Sequence, residues 1–111
     1  MKTFSNTNGR GFQIVFPNGV ILSTQFGSMH YCENMRMFGR DDTFSKNDWE
    51  SNDAEIAIIG PDGEWLTKDF QDDGDNVLGY VELEDWRKAF EWCWKWQPKE
   101  NGSPEAKEMK K

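Results

Sequence analysis

The sixteen residues GFQIVFPNGVILSTQF (11–26) decide how the chain folds. An apolar run ends at Phe16, Pro17-Asn18-Gly19 interrupts it, and a second apolar run follows. In such a turn Pro presets φ for the first position, Asn or Asp suits the second, and Gly accepts the left-handed third. That is the chemistry of a three-residue hairpin closed by a Gly bulge. It predicts Phe16 opposite Val20, Ile14 opposite Leu22 and Phe12 opposite Thr24. AEIAIIGPDGEWLTKDF (54–70) repeats the grammar around Pro61-Asp62-Gly63. There it predicts Ile58 opposite Leu66 and Ile59 opposite Trp65.

Both ribbons have one strongly apolar face and one mixed face, the pattern of a sheet covered on one side. The cover comes from VELEDWRKAFEWCWKW (81–96). At about 100° per residue, Leu83, Trp86, Ala89, Phe90, Cys93, Trp94 and Trp96 share one broad arc. Trp86, Phe90, Cys93 and Trp94 are expected in the core. Trp92 falls outside the arc, as a rim residue or a partner contact. Glu84 and Asp85 near the start and Lys95 near the end suit the helix dipole, whereas Glu82 is a poor N-cap. The fold class is therefore α+β: a small, mainly antiparallel sheet of two hairpins, four to five strands, covered by one C-terminal helix.

Residues 1–97 read as a single domain and 98–111, PKENGSPEAKEMKK, as a disordered polar tail. Between the ribbons, 28–53 is long and poorly periodic, which in a compact domain marks functional or mobile chain. A short helix is expected near Tyr31 to Met37, then a polar loop from Asp41 to Asp53 pinned by Phe44 and Trp49. Asn8-Gly9-Arg10-Gly11 lacks the spacing of a phosphate loop and signals a turn only.

With 111 residues, the chain can bury one core, and at 14% aromatic a few large rings supply much of it. No stretch of about 18 apolar residues predicts a membrane span. MKTFSNTNGRGF has no apolar core of a secretory signal, so a cytoplasmic location is expected. Cys32 and Cys93 are then expected to be reduced thiols. Between Asp41 and Asp85 lie fifteen Asp and Glu against two Lys, a balance of −13. The remaining segments carry five acids and eleven Lys or Arg, a balance of +6 that completes the net −7. Such a middle repels nucleic-acid phosphate and attracts a basic protein.

Few residues point to reaction chemistry. His30 and Cys32 are two apart, but no third group orients them as a nucleophile and base. They fall short of the four ligands of a closed zinc site. The stretch from Asp69 to Gly74 opens like a calcium loop, yet its twelfth position is Tyr80 rather than Glu. No catalytic residue, metal or cofactor is assigned. Two candidate surfaces remain. Asp72, Asp73 and Asp75, with Trp92, form a partner-binding candidate for a protein with a basic surface. Ser23, Gln25, Tyr31, Asn34 and Arg36 form an alternative kit for a nucleotide-like small molecule, combining amides, a stacking ring and a planar fork. A homodimer through a free sheet edge or Trp92 is a further expectation.

The runs ILSTQFGSMHYCENM (21–35), AEIAIIGPDGEWL (54–66) and DNVLGYVELEDW (75–86) resemble small proteins encoded in tailed-bacteriophage genomes. The resemblance spans about residues 9–92 and rests on Gln25, Phe26, Gly27, Tyr31, Cys32, Asn34, Ala54, Glu55 and Trp65. It implies a phage accessory protein in the host cytoplasm but carries no mechanism. A non-enzymatic acidic binder that inhibits or redirects a bacterial host protein, such as a defence or nucleic-acid-handling factor, fits that context. A nucleotide-sequestering protein is the alternative.

Overall fold

A computed structural model describes residues 2–37 and 49–98. Five strands form one antiparallel sheet in the order β1 (Phe4–Asn6), β2 (Gly11–Val15), β3 (Ile21–Gln25), β4 (Asp53–Ile59) and β5 (Leu78–Glu82). A 3-10 helix at Glu33–Met37 precedes β4, a single helical turn α1 (Thr67–Phe70) follows it, and α2 (Leu83–Lys95) is the last described element. This is the α+β arrangement that the hairpin grammar predicts.

The registers follow from the turns. Phe12 pairs with Thr24 and Ile14 with Leu22, while Phe16 N–H donates to Val20 O at 2.8 Å. In the second ribbon, Leu66 N–H reaches Ile58 O at 2.8 Å and Ile59 bridges Trp65. Its return arm, however, is not a full strand. After Leu66 the chain turns into α1, β5 pairs with β4 in place of that arm, and the N-terminal β1 adds a strand at the opposite edge. Asn8 (φ 55°) and Gly9 (φ 73°) make a tight turn with both central residues left-handed, and Asn6 Oδ1 accepts Gly9 N–H at 2.7 Å. A turn with two positive φ values matches the strand twist and folds β1 onto β2.

Period-2 alternation puts Ile14, Leu22, Ile56 and Ile58 on one face, where α2 lies across them. Leu22, Ile56, Ile58 and Val20 are fully buried. On α2 the residues with no exposure are Ala89 and Cys93. Small side chains at the helix centre let its axis approach the sheet, and the rings spread to either side. Measured from the Ala89–Cys93 direction at about 100° per residue, Phe90 and Trp92 sit about 80° to either side. Trp94 lies about 120° away.

The structure therefore corrects the expected stripe. Trp92 packs edge-on against Phe70 at 5.9 Å and joins the core margin. Trp94 is 60% exposed, stacked on Phe90 at 6.5 Å, and Leu83 is 77% exposed.

Both ends of α2 are tied differently. Glu82 makes no side-chain cap, as its chemistry implies. At the other end Asn18, from the first hairpin turn, donates through Nδ2 to Cys93 O (2.8 Å) and Trp96 O (2.9 Å). Its Oδ1 accepts Val20 N–H at 3.0 Å. One turn residue thus shapes the hairpin and satisfies helix-terminal carbonyls. In the first turn of α2, Trp86 Nε1 donates to Thr24 Oγ1 on the covered face of the sheet at 2.8 Å.

The 3-10 helix lies within the expected helical stretch, and Trp49 is buried. Phe44, most of the 41–53 loop and the tail beyond Pro98 lie outside the described residues. Among the described residues, no helix is long and apolar enough to cross a membrane.

Candidate functional site

The chain between β3 and β4 joins neighbouring strands yet runs through the 3-10 helix, and its described legs are bound together by side chains. Asn34 Nδ2 donates to Phe26 O (2.6 Å) on one leg and Glu50 O (3.0 Å) on the other. The Glu33 carboxylate accepts Asn52 N–H and the Ser51 hydroxyl, while Glu33 N–H donates to Asp53 Oδ1 at 2.7 Å. Tyr31 reaches β5, where its carbonyl accepts Tyr80 N–H at 2.7 Å. A Cβ at Gly79 would lie 2.6 Å from Tyr31 Cβ, so that approach needs glycine. Tyr80 takes φ 55°, and pairing slips between Ala54 and Ile56, which marks a bulge in β5.

The residues proposed to read a small ligand do not converge. Ser23 and Gln25 lie on the face away from α2, as alternation requires, but both are buried. Gln25 Nε2 donates to Ser23 Oγ (3.0 Å) and Thr7 Oγ1 (3.2 Å), leaving its Oε1 over Gly11. Asn34 is spent on the two legs. Tyr31 keeps an exposed ring at the β5 side, and the Arg36 side chain lies outside the described residues.

His30 and Cys32 are both engaged by the Gly27 turn. Gly27 N–H donates to His30 Nδ1 at 3.0 Å, so the neutral ring carries its proton on Nε2. Burial, and then the charge of Arg10, push the His30 pKa down. The Cys32 thiol donates to Gly27 O at 3.5 Å. Burial raises its pKa, with Asp53 and Glu55 adding to the rise and hydrogen bonds from Asn34 and Ser51 opposing it. A protonated thiol is the reverse of an activated nucleophile. Burial alone pushes Cys93 up to about 12, and both cysteines are free.

Acidic residues do gather. Asp53 on β4 lies directly opposite Glu82 on β5, with Glu33 hydrogen-bonded alongside through Asp53 and Ser51. Like charges in that position oppose strand pairing. Two residues along β4, Glu55 is held above its ordinary carboxylate range, chiefly by burial and further by Asp75, against a hydrogen bond from Tyr31 N–H. Asp72, Asp73 and Asp75 follow on the exposed loop before β5. Asp72 and Asp75 orient that loop by accepting Gly74 and Asn76 N–H. Among the described residues the ion pairs all lie on α2: Arg87 with Glu84 and Glu91, and Lys88 with Asp85. None reaches this acidic edge. Nor do the described residues include three or more metal-ligating groups arranged around an ion.

Glu55 supplies a pH test. Its folded pKa is raised, so the folded state holds the neutral form better than the unfolded chain does. The contribution of Glu55 to stability therefore falls as pH rises through its carboxylate range. Glu55→Gln is expected to leave stability unchanged at about pH 3 and to raise it progressively toward neutrality, read by urea denaturation at each pH. A gain independent of pH would contradict the assignment.

Beside the acidic edge runs an open groove of about 400 Å³, lined among others by Phe12, Phe26, Asn52, Asp53, Leu83 and Trp86. Apolar floor and acidic rim thus adjoin. Hairpin registers within each ribbon were readable from sequence. The Asp53–Glu82 pairing was not, because β4 and β5 are separated by a bridge and a helical turn. Comparison with family models, with curated proteins and with solved structures returns no match.

Proposed function

We propose that this is a non-enzymatic binding domain whose acidic edge engages a basic surface on another protein. The observation that carries this is the Asp53–Glu82 pair, with Glu33, Glu55 and Asp75 around it and no ion pair to it among the described residues. Stacking carboxylates across two strands costs folding stability. A cationic partner converts that cost into association rate and specificity. The adjoining groove, with Leu83 exposed beside Phe12 and Trp86, supplies the apolar centre that a charged rim alone lacks. Asp72, Asp73 and Asp75 extend the acidic rim. The resemblance to phage-encoded proteins makes a bacterial host protein the partner class, and inhibition or redirection its consequence.

Affinity capture from bacterial lysate tests this. The wild-type chain is expected to retain a stoichiometric basic protein that salt elutes. Reversing Asp72, Asp73 and Asp75 to Lys is expected to weaken capture about tenfold or more, equivalent to about 1.4 kcal/mol. Because Asp72 and Asp75 also accept Gly74 and Asn76 N–H, the uncharged variants Asp72→Asn and Asp75→Asn, which keep an acceptor oxygen, separate loss of charge from loss of loop geometry, and unfolding midpoints check that each variant is folded. Capture that ignores both salt and charge reversal would sink the proposal.

A further inference from the structure

The two edges of the sheet differ. On β5 the chain is bulged, Tyr80 is left-handed, its N–H is taken by Tyr31 O, and Tyr31 sits against Gly79. Such an edge offers no regular ladder. On β1, Thr3 O accepts Val15 N–H and Thr7 N–H donates to Gly11 O, so residues 3 and 7 turn their peptide groups inward. By alternation Phe4 and Asn6 direct their N–H and C=O outward, away from β2. Usual edge defences are missing: β1 has no proline, no bulge and no charged residue, only brevity.

Phe4 pairs with Ile14 and so lies on the same side of the sheet as α2, yet it is 74% exposed. Together with Ile14, Phe16, Phe90 and the exposed Trp94 it borders an apolar groove of about 350 Å³. None of the residues lining that groove is charged. On a chain of net charge −7, a neutral strip is where a second identical chain approaches without repulsion.

We propose that the occupant of this edge is a second copy of the same chain, paired antiparallel through β1 about a two-fold axis at Ser5. The geometry is self-complementary, as a two-fold interface requires. Phe4 and Asn6 of one copy exchange both main-chain hydrogen bonds with Asn6 and Phe4 of the other. Ser5 then faces its own symmetry mate as a non-hydrogen-bonded pair, with Cα atoms about 4.5 Å apart. The two Phe4 rings meet diagonally at about 7–8 Å, over the groove that Trp94 flanks. The result is a ten-stranded sheet with the acidic edges at its two far ends.

Sedimentation equilibrium and a cysteine cross-link test the arrangement together. The wild-type chain is expected to move toward twice its 13.0 kDa mass as concentration rises. Ser5→Cys is expected to form an intermolecular disulfide under mild oxidation, since Cα atoms about 4.5 Å apart lie within disulfide reach. The native Cys32 and Cys93 are buried and do not compete. Phe4→Asp, at an exposed position, is expected to hold the chain at its monomer mass with its unfolding transition unchanged. A wild-type monomer at every loading would overturn the proposal. So would a dimer that survives Phe4→Asp without cross-linking at Ser5→Cys, because it would use another surface.

Discussion

Asn18→Asp is expected to lower the free energy of unfolding by about 1–4 kcal/mol, while Asp62→Asn changes it by less than about 0.5 kcal/mol. The two residues hold the same place in the same turn grammar, so turn chemistry does not separate them. Their surroundings do. Asn18 Nδ2 donates to Cys93 O and Trp96 O, at the negative end of α2, whereas Asp62 is an exposed turn residue. A carboxylate at position 18 forfeits two hydrogen bonds worth about 0.5–1.5 kcal/mol each. It also sets a negative charge against helix-terminal carbonyls, at about 0.3–1 kcal/mol. The bond to Val20 N–H persists, so the turn itself survives. Urea titration of both variants checks the contrast. Acidification below the ordinary Asp pKa of about 3.9 should narrow the Asn18→Asp deficit, because a protonated carboxyl regains one donor. Equal losses in the two turns would mean that the clamp contributes nothing.

Thr67→Val is expected to cost about 1–3 kcal/mol although it conserves volume. The pairing between β4 and β5 reaches only Ile56 and Leu78, so Ile58 N–H has no strand to bond on that side. Thr67, fully buried at the start of α1, supplies Oγ1 at 2.9 Å in its place. Valine would leave that N–H in the core without an acceptor. Thr67→Ser keeps the hydroxyl and loses one methyl, at about 0.8 kcal/mol. Amide exchange at Ile58 discriminates the mechanisms: it should accelerate selectively in the valine variant and stay slow in the serine variant. A valine variant as stable as wild type would show the site to be tolerant of an orphaned amide.

These two residues mark the boundary of what the sequence discloses. The pairings of Ile14 with Leu22 and Ile59 with Trp65 were legible because a tight turn determines register locally. The side of Gln25 was legible too, by alternation, but not that Ser23 and Thr7 would hold its amide in a buried network. The expected arc of α2 had the right width but was rotated by about 40° from the observed one. Tryptophans weigh heavily in a hydrophobic pattern, whereas the closest approach to a sheet belongs to the small Ala89 and Cys93. Trp94 was therefore assigned to the core and Trp92 left out of it. Most of the acidic edge was present as a charge imbalance between Asp41 and Asp85. The juxtaposition of Asp53 with Glu82, and the addition of Glu33, required strand order across segments that no local signal orders. Asn18 reads as a turn residue and nothing more until α2 is in place.

The Asn18 clamp bears on how this protein is made. Its partners, Cys93 and Trp96, are the last of the clamp to leave a ribosome, more than seventy residues after the turn they fasten. At about 5–20 residues per second, the first hairpin waits about 4–15 s before α2 can cover it. Throughout that interval Phe16, Val20 and Leu22 stand bare on a nascent sheet. The apolar face of the first hairpin is thus covered only once α2 has emerged, and Asn18 fastens the two together at that late stage.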